Sequence, residues 1–472
     1  MKILLTGATG YIGKRILPIL VAQGHDVICC VRDKNRFYIP EELQEKVQVI
    51  EVDFLDKETL VNIPTAIDAA FYLIHSMSGS DTNYDELESI SATNFSERIN
   101  QTQAQQILYL SGIVNDKSLS KHLSSRKNVE SILAKSKVPL TTLRAGIIVG
   151  SGSASFEIIR DLVNKLPVMI TPKWLNTKCQ PIAINDVLEF LTKSLLNPLT
   201  YNQSFDIGGP DILTYKEMLL AFAKAKKLRR WIFTVPVMTP KLSSYWLYFV
   251  TSTSYKLATA LVSSMKVEVI CKDTKINELL NVQPMSYEKA LSKALLKVEE
   301  DQVASSWKDS LISGRFNTNL SGYLKVPKKD CFIDRRKKEV INRDFTINQI
   351  WSIGGETGWY YGNWLWNIRG FIDKLFGGVG LRRGRTNKHS IHSGDVLDFW
   401  RVLYANKEEG KLILFAEMKL PGEAWLEFKI IGNTLYQSAT FRPRGIWGKL
   451  YWYSVLPFHG FIFEGMLRRL IR

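Results

Sequence analysis

Three glycines, Gly7, Gly10 and Gly13, recur at intervals of three in the segment TGATGYIG (6–13). An apolar run precedes the segment and a stretch with helical apolar spacing follows it. In that context each glycine has a physical task. Gly7 allows a tight turn, Gly10 lets the backbone approach a pyrophosphate, and Gly13 lets a helix pack closely on a strand. The start of the following helix presents unbonded N–H groups and the positive end of its dipole to an anion. Thr6, Tyr11 and Ile12 flank the glycines and complete the candidate cradle. The chemistry is the binding of a dinucleotide.

Two further positions bear on which dinucleotide is held. The second apolar run ends Val31-Arg32-Asp33, with Arg32 standing 25 residues after Gly7. A carboxylate at that place would bind a ribose 2′-hydroxyl, whereas a guanidinium suits a 2′-phosphate. Arg32 therefore predicts NADP(H) over NAD(H). The alternative is that Arg32 points to solvent and Asp33 takes its place. Asp53, with Phe54 after it, ends the third run. Its carboxylate could accept from an adenine amino group or only cap the strand.

These residues need a scaffold that brings strand ends together. Apolar runs at 3–7, 26–32, 47–54, 69–76, 106–114 and 139–150 alternate with helical stretches at 13–23, 82–104 and 122–136. Six strands alternating with helices predict an α/β fold with a doubly wound parallel sheet, covered on both faces. Helical patterns at 153–166, 181–196, 215–228 and 239–265 follow as a less regular region, from about 151.

Residues 1 to about 295 resemble the extended and atypical short-chain dehydrogenase/reductases, and within them the NmrA-like and complex-I-subunit-like branches. TGATGYIG matches their glycine motif, YLSG (109–112) the strand bearing their active-site serine, and SFDIGGPDILTYKEM (204–218) their substrate region. The resemblance implies a nicotinamide cofactor and makes Ser111 a candidate catalytic residue. The family's YxxxK departs here: KHLSSRKNVE (121–130) aligns with YxxSKxxVE, so His122 stands for the Tyr and Arg126 for the Lys. His122 can carry a proton, while Arg126 keeps only charge and donors. His75, at the end of the fourth strand, is a second candidate acid. In this fold that strand end faces the nicotinamide.

The remainder of the chain has a different character. Residues 331–472 hold 8 of the 12 tryptophans and a net charge of +9, within +16 for the whole chain. The division expected is a dinucleotide-binding domain over 1–300, a linker over 301–345 containing the charge run DRRKKE (334–339), and an α+β domain over 346–472. An aromatic helical segment, alternating strands and a last helix at about 446–471 predict an antiparallel sheet with a long terminal helix. This part resembles uncharacterised domains fused to such reductases and, distantly, the helix-grip (START-like, SRPBCC) fold, which implies an apolar ligand cavity. The turn GGVGLRRGR, with Arg382, Arg383 and Arg385, is a candidate anion site.

Other classes find little support. The five cysteines form no CxxC, which fits buried thiols in a reducing compartment and no metal site. The chain contains no GxSxG, HExxH or P-loop, and no nucleic-acid motif, so no nucleic-acid partner is expected. The N-terminus lacks signal-peptide features and no apolar run reaches membrane-spanning length, which predicts a cytoplasmic protein. The aromatic runs 244–250 and 450–463 read as core helices, with peripheral membrane contact as the alternative. The function expected is an NADPH-preferring oxidoreductase acting on a hydrophobic acceptor such as a quinone or carbonyl compound. The rival reading is a non-catalytic NADP(H)-binding or redox-sensing protein whose second domain binds a hydrophobic ligand or lipid.

Overall fold

The computed structural model describes residues 1–34, 37–75, 84–114, 121–235, 240–251, 255–299, 323–355, 357–376, 378, 380, 385 and 390–471; at a few helix positions, His122 among them, only the backbone is described. The chain divides into two units. Met1–Lys34 with Ile39–Gly314 form the first, and Asn35–Tyr38 with Arg315–Arg472 the second.

In the first unit, β1 (Lys2–Leu5), β2 (Asp26–Val31), β3 (Val47–Glu51), β4 (Ala69–Tyr72), β5 (Gln106–Gly112), β6 (Leu140–Ala145) and β7 (Gln203–Ile207) form one sheet. Its order is β7-β6-β5-β4-β1-β2-β3, and every pairing is parallel. The strands are short and apolar because both faces are covered. Helices α1 (Gly13–Ala22), α2 (Tyr84–Ile99) and α3 (Lys121–Leu133) are the crossovers of a doubly wound α/β fold. The order reverses beside β1, so the ends of β1 and β4 open the crevice where such sheets bind ligands.

The seventh strand is absent from the pattern of six. Gln203–Ile207 has only a short apolar end, and its place at the sheet edge is set from a distance. Ser204 Oγ donates to Glu130 on α3 at 2.6 Å, and Arg144 on β6 pairs with the same carboxylate at 2.6 Å.

Beyond β6 come helices α4 (Ala154–Lys165), α5 (Ile184–Lys193), α6 (Tyr215–Ala225), α7 (Pro240–Val250), α8 (Tyr255–Ser264), α9 (Lys275–Leu279) and α10 (Tyr287–Glu299); α4, α6, α7, α8 and α10 build a second core. Phe156, Met218, Phe222, Val262 and Leu291 lie at its centre.

The second unit is α+β. Strands β8 (Phe332–Glu339), β9 (Val396–Leu397), β10 (Trp400–Asn406), β11 (Lys411–Ala416), β12 (Gly422–Ile431) and β13 (Thr434–Pro443) form an antiparallel sheet in the order β8-β13-β12-β11-β10-β9. Helices α11 (Arg343–Ile350), α12 (Asn363–Leu375) and the 26-residue α13 (Gly445–Leu470) accompany it. Trp359, Phe399, Leu426, Phe428, Met466 and Leu467 share one core.

One expectation is corrected here. The charge run 334–339, read as part of a linker over 301–345, lies in β8, paired along its whole length with β13. Its side chains alternate: Arg335 and Lys337 face water as charges do on an edge strand, while Asp334, Arg336 and Lys338 face inward. The inward charges are matched by α13, whose Glu464 lies 3.0 Å from Lys338 and 3.7 Å from Arg336. In the GGVGLRRGR turn, Arg382 and Arg383 lie outside the described residues. Arg385 donates to the Ile353 carbonyl at 3.0 Å, the contact of a strut.

The thiols of Cys29, Cys30 and Cys179 are buried, and burial pushes Cys29 up to about 12, which suits inert core residues. Cys271 and Cys331 are only half-buried. Among the described residues no helix is long and apolar enough to cross a membrane.

Candidate functional site

Backbone geometry makes the glycine loop a cradle. Gly7 adopts φ +65°, and a Cβ there would lie 2.5 Å from the Leu73 carbonyl oxygen. A Cβ on Gly13 would overlap the Gly7 carbonyl, and one on Gly10 would crowd the same oxygen at 3.1 Å. Only glycine fits the first two positions, and Gly10 keeps open the surface a pyrophosphate would approach. Thr6 ties the loop to β4: its hydroxyl donates to the Phe71 carbonyl at 3.0 Å and accepts from the Leu73 N–H at 3.1 Å. Ile12 is the residue before α1, so the first turn of that helix opens onto the cradle. These residues fit a dinucleotide.

The remaining residues expected to hold the cofactor divide. Tyr11 is packed within the protein. Its ring lies under the Arg15 guanidinium, 4.7 Å from the centroid, and burial pushes its hydroxyl up to about 12. Arg15 in turn donates to the Ser151 carbonyl at 2.7 Å. Phe54 likewise enters the core, its ring 5.8 Å from that of Phe95. Asp53 is half-exposed, with one carboxylate oxygen accepting from the Leu55 N–H at 3.0 Å. Arg32 is exposed at the end of β2, and Asp33 beside it is buried.

At the ends of β4 and β5 the chain assembles a polar network. His75 Nδ1 lies 2.7 Å from Glu88 on α2. The second Glu88 oxygen accepts from the Ser125 hydroxyl on α3. Burial favours a neutral Glu88. The hydrogen bond from His75, the Arg126 guanidinium and the Ser125 hydroxyl outweigh it and hold the carboxyl well below the usual range. Burial, then the Arg126 charge, lower His75 against the pull of Glu88. An ionised Glu88 beside a neutral His75 requires the imidazole proton on Nδ1. Nε2 is then a hydrogen-bond acceptor, and burial with the Arg126 charge keeps the ring neutral at pH 7, so it has no proton on Nε2 to give.

Arg126 donates to the Leu110 carbonyl at 2.9 Å, and the Tyr109 hydroxyl donates to the Arg126 carbonyl at 3.3 Å. Together with the Glu130–Arg144 pair, these bonds fix α3 against β5 and β6. Ser111, next to Leu110, is buried, with its hydroxyl beside that of Tyr109. His122 lies on α3 one turn before Arg126, with its side chain outside the described residues.

Sequence reasoning did not single out Glu88 or Ser125. Ser125 occupies the serine position of the YxxSK pattern, which is a usable signal. Glu88 sits in a helix with polar residues all round, and only the folded contact with His75 distinguishes it.

Beside this network lies a cavity of about 210 Å³. It begins at Gly112 and Leu123, the neighbours of Ser111 and His122, and runs between α4, α6 and α7. Ile158, Leu162, Trp174, Leu219, Trp246 and Met265 make most of its wall. It is apolar, as ligand pockets that bury hydrophobic molecules are.

Comparison with known proteins agrees with this geometry. Residues 7–162 match a family described as NAD(P)H-binding, and residues 328–466 one described as a protein of unknown function (DUF2867). The chain is 23% identical over 227 residues to the chloroplastic divinyl chlorophyllide a 8-vinyl-reductase of Arabidopsis thaliana, covering 44% of this chain and 54% of that protein. It thus spans about half the length of that relative. An isoflavone reductase homolog of Lupinus albus is 23% identical over 234 residues, covering 46% of this chain and 73% of its own. Among solved structures, the triphenylmethane reductase of Citrobacter sp. superposes with a TM-score of 0.52 at 15% identity, over 63% of this chain and all of that one. Residues 7–162 are thus the core of an NAD(P)H-binding Rossmann domain, similar to those of the atypical short-chain dehydrogenase/reductases.

Proposed function

We propose that the first unit is an NADPH-preferring reductase of a hydrophobic acceptor, of the quinone or unsaturated carbonyl class. The observation that carries this reading is the apolar cavity that starts beside Ser111 and α3, where the reacting ring of a bound nicotinamide would be sought. Bound NADPH supplies the hydride. Gly7, Gly10 and Gly13 hold the diphosphate, and the exposed Arg32 meets the 2′-phosphate. The cavity excludes water and orients the acceptor, which favours hydride transfer over side reactions. Ser111 and His122, next in sequence to the lining residues Gly112 and Leu123, are the proposed proton carriers, with His75–Glu88 and Arg126 positioning the elements around them. The relative from Arabidopsis thaliana, named for reduction of a vinyl group on a chlorophyllide, supports an apolar acceptor.

Fluorescence titration with NADPH and NADH, followed by a panel of quinones and enones read at the NADPH absorbance, tests the proposal. Tighter binding of NADPH and acceptor-dependent oxidation are expected. NADPH that binds but is oxidised by no acceptor would instead favour a non-catalytic nucleotide-binding protein. The engagement of Arg126 with the Leu110 carbonyl supports that second reading, because it makes the residue a strut. The second unit would then act as a helix-grip-like ligand module, a reading its antiparallel sheet and long C-terminal helix support.

A further inference from the structure

The second unit exposes more large apolar side chains than a solvated surface needs. On α12, Trp364, Ile368, Phe371, Leu375 and the following Phe376 lie on one helical face, and all are open to solvent, Phe376 by 71%. On α13, Ile446, Trp447, Leu450, Tyr453, Phe458 and Phe461 are exposed in the same way, Trp447 by 74%. The two helices touch: the rings of Trp366 and Phe463 are 6.4 Å apart, and the Arg369 guanidinium sits 5.8 Å from the Tyr451 ring. Single exposed hydrophobics need no explanation, but two adjacent helices bearing many of them mark an interaction surface.

The charges around these side chains are mostly positive; the acidic residue among them, Glu423, pairs with Arg442 and lies 3.6 Å from Arg444. Between Arg442 and Phe463 the chain contains no acidic residue, while Arg442, Arg444 and Lys449 are exposed. On α12 the one acidic residue, Asp373, is buried and accepts from the backbone of Gly380 and Lys419. The N-terminal end of α13, where Arg444 and Lys449 lie, also carries the positive end of its dipole. A second copy of this surface would set like charges against each other. Exposed Trp, Tyr, Phe and Leu with an excess of cations among them fit the acyl–headgroup boundary of an anionic bilayer.

We propose that α12 and α13 dock the protein onto an anionic lipid surface. The helices lie in the interface with their exposed aromatic residues among the acyl chains. Arg444 and Lys449 meet the phosphates, while Arg442 is held by Glu423. This inference rests on the second unit alone and stands whether or not the first unit proves to be a reductase.

The test is co-sedimentation of the full chain with vesicles of phosphatidylcholine, alone and mixed with phosphatidylglycerol. Binding to the mixed vesicles, weakened by salt, is expected. Trp447→Ser with Leu450→Ser, and separately Trp364→Ser with Phe371→Ser, should each reduce vesicle binding at least tenfold. Because these side chains are exposed, the circular dichroism and melting temperature should change little. Brominated acyl chains should quench tryptophan fluorescence in the wild type and less in the first variant. Absence of wild-type binding to anionic vesicles overturns the proposal. So does binding unchanged in both folded variants, or a concentration-dependent dimer that the same substitutions abolish, which would make the surface a contact between copies.

Discussion

Glu88 is the residue on which the polar network at the ends of β4 and β5 turns. Its two oxygens serve His75 and Ser125, so Glu88→Gln leaves buried groups mismatched and should cost about 2 kcal/mol of stability. Its carboxyl is depressed in the folded state, so its contribution is present above the unfolded carboxylate value of about 4.3 and is lost as pH falls below it. Urea unfolding of wild type and Glu88→Gln at pH about 6 and about 3.5 should therefore give a smaller difference at the lower pH. Arg32 is the complementary case, an exposed cation with a proposed partner only in the ligand. Arg32→Ala should weaken NADPH binding by roughly tenfold or more, the worth of a charge-assisted contact, and leave NADH binding unchanged in the same titration.

At the scale of elements, the turn into α1 is the most constrained piece of chain. Gly13→Ala forces its Cβ onto the Gly7 carbonyl, so β1 and α1 must separate. The expected result is loss of the NADPH-induced rise in melting temperature together with destabilisation of about 1–3 kcal/mol, as for overpacking. Differential scanning fluorimetry with and without nucleotide reads both. This turn was legible in the sequence because all its determinants lie within eight residues. The strands β1 to β6 were legible because burial on both faces makes each an apolar run. β7 and β8 were not. β7 is held by Ser204 and Arg144 through Glu130. β8 is held by Glu464, more than a hundred residues away, which neutralises charges that read locally as a solvated linker. For the same reason the candidate site was half legible: the cradle is contiguous in sequence, whereas the His75–Glu88–Ser125 contact joins three elements.

At the scale of the whole molecule, two units with separate cores carry separate acid sensitivities. In the second unit His459 sits between Trp452 and Phe463, its Nδ1 3.8 Å from Asp334. Burial, against Asp334 and with Arg336, lowers it to about 4. The unfolded chain takes up a proton near pH 6.5 that the folded unit refuses, so stability falls as pH drops from about 6.5 towards 4, by about 3 kcal/mol at most. His459→Gln should flatten that fall for the transition of the second unit in calorimetry and leave the transition of the first unit unchanged.

Pro457 divides α13 into two stretches with different fates. It has no N–H to give the Tyr453 carbonyl, so the ladder of helix bonds is interrupted there. After it, Ile462, Phe463, Met466, Leu467 and Leu470 are sealed in the core; before it, only Gly448 and Trp452 are buried. One helix is therefore two cooperative pieces. Amides of 462–470 should exchange deuterium only when the whole unit opens. Those of 446–456 should exchange early, by fraying from Gly445 to the proline.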